Sequence, residues 1–169
     1  MERRRLFAIL VGGIATAIGV ALAIPAAAML SFPARRRTVF GGDEPVDVGA
    51  LAALPEGMPV RVAVAAARRR DAWSAFTNVV LGSAWLVREG QTVRALSTVC
   101  PHTGCAVDWD RQQGAFVCPC HDSRFAKDGT RATGPSPRPL DALATEVVDG
   151  RVRLAWRRFK TATAKKEPV

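Results

Sequence analysis

Metal-binding and redox-active side chains are scarce in this sequence. It has no tyrosine, two histidines and four cysteines. All of these cysteines and histidines fall in two short segments, a first box at residues 100–105 (CPHTGC) and a second box at residues 118–123 (CPCHDS). Any chemistry that needs thiolate or imidazole must therefore take place at these two boxes.

The C-x-x-C knuckles that zinc ribbons commonly use are also missing from both boxes. Cysteine and histidine sets at short spacing do nevertheless bind zinc. A zinc-stabilised binding module without redox activity therefore stays as an alternative, which iron analysis would exclude.

Acidic residues are too few to balance the basic ones, which leaves a net charge of +9. Such an excess attracts either nucleic acid or anionic lipid. No nucleic-acid-binding motif or aromatic-basic platform is present, so we expect no nucleic-acid partner. Much of the basic excess flanks an apolar run, which favours membrane lipid headgroups. These flanking basic residues are Arg3, Arg4, Arg5, Arg35, Arg36 and Arg37.

Charged residues are absent between Leu6 and Leu30, a run of 25 residues. A helix of this length crosses a hydrocarbon core of roughly 30 Å. We therefore expect a transmembrane anchor over residues 6–30, after a short cytoplasmic N-terminus at 1–5. Residues 4–7 (RRLF) resemble a twin-arginine export signal, and small residues at 26–28 leave open a cleaved signal peptide.

The remainder predicts an antiparallel all-β domain. Residues 31–47 have the composition of a flexible linker, with a glycine pair at 41–42 as a hinge. Alternating runs at 83–88 and 92–97, and at 144–148 and 151–156, flank Glu-Gly and Asp-Gly turns and predict hairpins. We place the domain at residues 48–158 and expect the tryptophans in its core. Residues 159–169 should form a polar tail, disordered from Thr161 to Val169.

The order of the two boxes, C-x-H-x-x-C, twelve residues and then C-x-C-H-x-S, resembles the Rieske [2Fe–2S] family. Together with the spare cysteine pair and the N-terminal apolar run, it resembles the iron–sulfur subunits of bacterial cytochrome bc-type quinol:cytochrome c oxidoreductases. It implies a Rieske antiparallel β-sandwich with an inserted cluster-binding subdomain at about residues 98–140, preceded by the N-terminal transmembrane helix.

The resemblance also implies a ligand set for a [2Fe–2S] cluster: Cys100 and Cys118 on one iron, His102 and His121 on the other. The two spare cysteines, Cys105 and Cys120, form a disulfide in the quinol-oxidising branch of the family. A disulfide requires an oxidising compartment, so the domain is expected on the outer, periplasmic side of the cytoplasmic membrane.

Several positions around the second box are expected to tune the reduction potential through hydrogen bonds and charge. Family members use a serine at the position of Ser123 to bond a bridging sulfide. High-potential members have a tyrosine where this chain has Phe125, and glycine is usual where this chain has Asp122. Both departures predict a lower potential and hence menaquinol as electron donor.

A glycine- and proline-rich segment follows the second box and resembles the stiff loop that covers the cluster in this family. Its residues are Gly134, Pro135 and Pro137, with Pro139 after them.

The function implied by the resemblance is electron transfer within an oxidoreductase complex, not catalysis by this chain alone. His121 would contact quinol and take up its proton, while the cluster takes one electron and passes it to a c-type cytochrome. The implied partners are a cytochrome b subunit, a c-type cytochrome subunit, quinol and membrane lipid, in a dimeric complex. The alternative is the Rieske small subunit of another exported oxidoreductase, similar to arsenite oxidase.

Overall fold

The computed structural model describes residues 2–35, 44–70 and 74–169. They form one α-helix, α1 (Glu2–Arg35), one short 3₁₀ helix (Leu51–Ala53) and ten strands in two antiparallel sheets. The strands are β1 (Val46–Ala50), β2 (Val60–Arg70), β3 (Ala75–Glu89), β4 (Thr92–Ser97), β5 (Asp108–Asp110), β6 (Ala115–Cys118), β7 (Ser123–Phe125), β8 (Arg131–Thr133), β9 (Ala142–Val148) and β10 (Arg151–Ala155).

Helix α1 is the predicted apolar helix, and it is longer than the uncharged run. Residues 2–32 have the length and hydropathy of a membrane span. The helix continues to Arg35 and β1 begins at Val46, so both ends of the predicted linker belong to regular elements. The predicted glycine hinge at 41–42 lies outside the described residues, as does Trp73.

The larger sheet has the strand order β1-β10-β9-β4-β3-β2. The β9–β10 hairpin closes through Asp149 and Gly150, whose φ angles are +51° and +71°. A turn with two positive φ angles matches the right-handed twist of the strands, so the hairpin predicted from Asp-Gly is confirmed. Leu86, Leu143 and Leu154 lie in the core of this sheet with seven other buried residues.

The smaller sheet has the order β5-β6-β7-β8 and is inserted between β4 and β9. Its core holds Trp85, Phe116 and Phe125 together with Cys100 and Cys118. Phe116 packs between two tryptophans, with ring centroids 5.4 Å from Trp85 and 4.8 Å from Trp109. The all-β fold with an inserted subdomain is therefore confirmed, and its aromatic core lies directly beneath the two boxes.

Candidate metal centre

The first box is a tight turn that leads out of β4. The Cys100 N–H donates to the Cys105 carbonyl at 2.8 Å, and the Gly104 N–H donates to the Cys100 carbonyl at 3.0 Å. The positive φ of Gly104, +88°, lets the chain reverse there. This turn keeps Cys100 fully buried while Thr103 is exposed.

The second box joins β6 to β7. Cys118 ends β6 and pairs with Ser123 at the start of β7, so residues 119–122 form the connecting turn. Asp122 has a φ of +53°, a conformation that glycine adopts without strain and that aspartate tolerates better than most residues. Asp122, at the position where glycine is usual in the family, thus has a left-handed backbone conformation.

A disulfide joins the two boxes through Cys105 and Cys120, as the resemblance implies. The sulfur atoms of Cys105, Cys118 and Cys120 all lie within 4.8 Å of one another, but two of them are already bonded together. Cys100 and Cys118 are the free cysteines, and both are buried. Two of the four cysteines therefore link the boxes through the disulfide, and the other two keep free thiols that can bind metal.

The histidines of the two boxes lie next to each other. Their rings are nearly perpendicular, with centroids 4.7 Å apart. The Nδ1 atom of His102 is buried and has no hydrogen-bond partner among the residues that the structure describes. A buried ring nitrogen without a partner is unfavourable unless something outside the protein chain binds it. His121, in contrast, is exposed.

The electrostatics of Cys100 reflect its position among these groups. Burial raises the pKa of the Cys100 thiol, and the adjacent Cys118 adds to this. The backbone N–H of His102 and the hydroxyl of Ser123 act in the opposite direction on the same pKa, since both stabilise the thiolate. Two free buried sulfurs and two adjacent imidazoles are the donor set that a [2Fe–2S] cluster with mixed cysteine and histidine ligation requires.

The glycine- and proline-rich loop packs against the second box. A Cβ atom at Gly134 would lie 2.5 Å from the Ser123 Cα and 2.8 Å from the Asp122 carbonyl oxygen, so the backbones are in close contact. The Ser136 N–H donates to the Ser123 hydroxyl oxygen at 3.2 Å. Pro135 is exposed and Pro137 is half-buried.

Two of the predicted tuning residues have surroundings that their sequence positions did not reveal. Phe125 is fully buried opposite Phe116. The Asp122 carboxylate lies 3.1 Å from an Arg124 guanidinium nitrogen, so part of its negative charge is compensated. The charge effect expected of Asp122 alone is correspondingly smaller.

Sequence reasoning missed a buried ion pair next to the loop. Arg138 and Asp141 are each 6% exposed, and the guanidinium donates to both carboxylate oxygens at 2.9 and 2.8 Å. The available signal was an arginine between two prolines with an aspartate three residues later.

The prediction of a disordered tail was wrong. Backbone hydrogen bonds join Lys160 to Glu167 and Val169 to Arg158, and the Ala162 N–H donates to the Pro101 carbonyl of the first box at 2.9 Å. A polar composition does not prevent order here, because these charged residues pair with one another and with backbone carbonyls.

Known proteins resemble the chain over the part that forms this centre. The menaquinol:cytochrome c reductase iron–sulfur subunit of Bacillus subtilis is 40% identical over 84 residues, which are 47% of this chain and 49% of that protein. The subunit of the same name from Geobacillus thermodenitrificans is 36% identical over 113 residues, covering 64% of this chain and 63% of that protein. The chain thus spans less than two thirds of the length of these relatives.

Among solved structures, the plasma membrane Rieske protein PetC3 from Synechocystis PCC 6803 matches with 28% identity and a TM-score of 0.47, over 64% of this chain and 97% of that one. The model of the Rieske [2Fe–2S] domain matches residues 44–146, well over half of the chain. With both boxes, the stapling disulfide and the inserted sheet inside that match, the chain belongs to the Rieske [2Fe–2S] family.

Proposed function

We propose that this chain is the membrane-anchored Rieske subunit of a cytochrome bc-type complex, which accepts one electron from quinol and passes it to a c-type cytochrome. One observation carries the proposal. Two free buried cysteines and two adjacent histidines lie on loops that a disulfide staples together. The names of the relatives from Bacillus subtilis and Geobacillus thermodenitrificans support the same class of complex.

In this proposal Cys100 and Cys118 would hold one iron, and His102 and His121 would hold the other. The bound cluster supplies a one-electron centre with a potential of roughly −150 to +300 mV. Because Cys100 and Cys118 are buried, water is excluded from their sulfur atoms. The exposed imidazole of His121 would accept a hydrogen bond from the quinol hydroxyl and take up its proton.

We further propose menaquinol as the donor. Phe125 stands where high-potential family members have a tyrosine that bonds a ligand sulfur, and the missing hydrogen bond lowers the potential. Menaquinol is a lower-potential donor than ubiquinol and suits such a centre. Because Arg124 compensates part of the Asp122 charge, Phe125 carries most of this argument.

The expected partners follow from the same proposal. A cytochrome b subunit would form the quinol site and take the second electron, and a c-type cytochrome would take the first electron from this chain, in a dimeric complex. The apolar helix and its flanking arginines suit an anchor among lipid headgroups. The disulfide suits a domain on the periplasmic side.

The decisive experiment is purification of the tagged full-length chain from its native membrane, followed by heme analysis, EPR and a redox titration. The proposal expects b- and c-type heme to co-purify with a rhombic Rieske EPR signal in the lower part of the family range. Co-purification of a molybdenum-containing partner without cytochrome b would contradict the proposal and favour the arsenite-oxidase-like alternative. A potential near the top of the range would indicate ubiquinol instead of menaquinol.

A further inference from the structure

The segment after β10 folds back on itself as a short hairpin, residues 158–169, which we call the C-terminal hairpin. Its ends are joined by hydrogen bonds from the Lys160 N–H to the Glu167 carbonyl at 2.9 Å and from the Val169 N–H to the Arg158 carbonyl at 3.0 Å. The Lys160 ammonium also lies 2.9 Å from the Glu167 carboxylate. The hairpin is therefore a defined element of the fold.

The C-terminal hairpin holds the first box directly. The Ala162 N–H donates to the carbonyl oxygen of Pro101, the fully buried residue between Cys100 and His102. Ala162 makes this contact with a φ of +56°, a conformation that is unfavourable for alanine. The surrounding contacts must hold this residue in place.

Arg138 supplies such contacts. Its guanidinium, already paired with the buried Asp141, donates to the Lys160 carbonyl at 2.7 Å and also to the Thr163 carbonyl. These two carbonyls bracket Ala162 in the sequence. One buried side chain thus fixes both flanks of the residue that contacts the first box.

The backbone of Arg138 leads to the second box. Its carbonyl accepts a hydrogen bond from the Ser136 hydroxyl at 2.8 Å, and the Ser136 N–H donates to the Ser123 hydroxyl at 3.2 Å. A continuous chain of bonds therefore runs from Ser123 through the proline loop and Arg138 to the C-terminal hairpin, and from there to Pro101. It joins the two boxes by a route that does not use the disulfide.

We propose that Arg138 is a positioning residue that, through the C-terminal hairpin, sets the position of the first box relative to the second and so helps the protein retain its cluster. The inference rests on the cluster ligands of the proposed function. Arg138 itself touches neither the ligands nor any reacting atom. Its effect passes through Ala162 and Pro101.

The test uses the full-length chain in detergent with its cluster assembled. Ala162→Pro removes the N–H and demands a φ near −65°, so it releases the first box without touching Arg138. Ala162→Gly keeps the N–H and adopts the positive φ without strain. Arg138→Lys keeps the charge beside Asp141 but loses the planar fork that spans both carbonyls. Ala164→Gly, in the same hairpin but without a positive φ, is the matched control.

We expect Ala162→Pro and Arg138→Lys to lose the visible absorbance of the cluster roughly five- to tenfold faster than the wild type, the effect of about one lost hydrogen bond. Both should also broaden the Rieske EPR lines, because the ligand loops would no longer be held in one arrangement. Ala162→Gly should match or exceed the wild type in retention and keep its EPR spectrum, and Ala164→Gly should leave both unchanged.

Wild-type retention and wild-type EPR lines in both Ala162→Pro and Arg138→Lys would overturn the inference while leaving the proposed function intact. Equal damage from Ala162→Gly and Ala162→Pro would overturn it too, since the glycine variant preserves the contact. If the wild-type protein itself gave no Rieske signal in iron-replete preparations, the ligand assignment would fail first and the inference with it.

Discussion

The imidazole rings of His102 and His121 lie edge to face, with their centroids 4.7 Å apart, although they belong to different loops. His102 lies in the turn after β4, whereas His121 lies in the turn between β6 and β7. Nothing in the local sequence of one loop fixes its distance from the other. The geometry of this pair therefore depends on whatever ties the two loops together.

The first tie is the disulfide, and its removal should destabilise the domain. Closing a loop over the 15-residue separation of Cys105 and Cys120 restricts the unfolded chain by about 3 kcal/mol in the chain-entropy model. We expect the Cys105→Ser/Cys120→Ser variant to lose about that free energy of unfolding and to lose its cluster faster. Thermal unfolding followed by visible circular dichroism measures both.

Treatment of the wild type with a strong thiol reductant is the control for that variant, since it should reproduce its unfolding temperature. A variant as stable as the oxidised wild type would show that the strands alone hold the loops.

The second prediction concerns the reduction potential. Phe125→Tyr places a hydroxyl in the hydrophobic core that also contains Cys100 and Cys118. A hydrogen bond of about 1 kcal/mol made preferentially to the reduced form should raise the potential by roughly 40 mV for one electron. Redox titration monitored by EPR measures the change.

Phe116→Tyr is the matched control, because Phe116 is equally buried and directly opposite in the β6–β7 register, but packs between Trp85 and Trp109. The same rise in both variants would indicate a general effect of a buried hydroxyl. An unchanged or lower potential in Phe125→Tyr would contradict the reason given for menaquinol.

The third prediction tests the close approach of the proline loop. In Gly134→Ala the new methyl group would collide with backbone atoms of Ser123 and Asp122, and the residue would keep a strained φ of +90°. We expect the loop to lift away, with an altered EPR spectrum and a shorter cluster lifetime.

Gly114→Ala separates the two contributions to that effect. Gly114 has a φ of +63°, but a Cβ there would meet open space. It should cost only about 1 kcal/mol of stability and leave the EPR spectrum unchanged. If Gly134→Ala behaved like Gly114→Ala, the loop would not be in contact with the second box.

The parts of this molecule that could be predicted are those encoded by neighbouring residues. The Asp149-Gly150 turn predicted an antiparallel hairpin, and the spacing of cysteines and histidines in the two boxes carried the resemblance to the Rieske family, which implied the fold. The hairpin at 158–169 was not predictable in this way, because its order depends on Arg138, about 20 residues earlier. Its polar composition alone had predicted a solvated tail.

Asp122 shows that closeness in sequence is not sufficient either. Its position predicted a negative charge near the cluster that lowers the potential, but a guanidinium nitrogen of Arg124, only two residues later, lies 3.1 Å from its carboxylate and compensates part of that charge. The sequence contains both residues, but only the structure shows that their side chains meet.

The fourth prediction concerns acid stability. A hydrogen bond from Arg151 holds the pKa of Asp47 below its usual value, and the Gly49 N–H adds to this. A group whose pKa is lowered in the folded state stabilises the protein above its unfolded pKa of about 3.9, and this contribution disappears as the pH falls through the folded value. Asp47→Asn should therefore flatten the acid side of a plot of unfolding temperature against pH.

Arg151→Gln should flatten the same part of the curve, since it removes the partner that joins β10 to β1. The double variant should add nothing further, because both single changes break one interaction. Additive losses in the double variant would mean that the two side chains stabilise the fold separately.

The last prediction concerns the buried ion pair of Arg138 and Asp141. Asp141→Asn leaves the guanidinium buried at 6% exposure without its counter-charge. Removing one partner of a buried pair destabilises a protein by about 3–5 kcal/mol. The exposed pair of Arg94 and Glu89 is the control, because Glu89→Gln should cost less than about 1 kcal/mol. Denaturant unfolding of both variants decides the matter: equal losses would mean that Arg138 keeps enough hydrogen bonds to the Lys160 and Thr163 carbonyls to tolerate an unpaired charge.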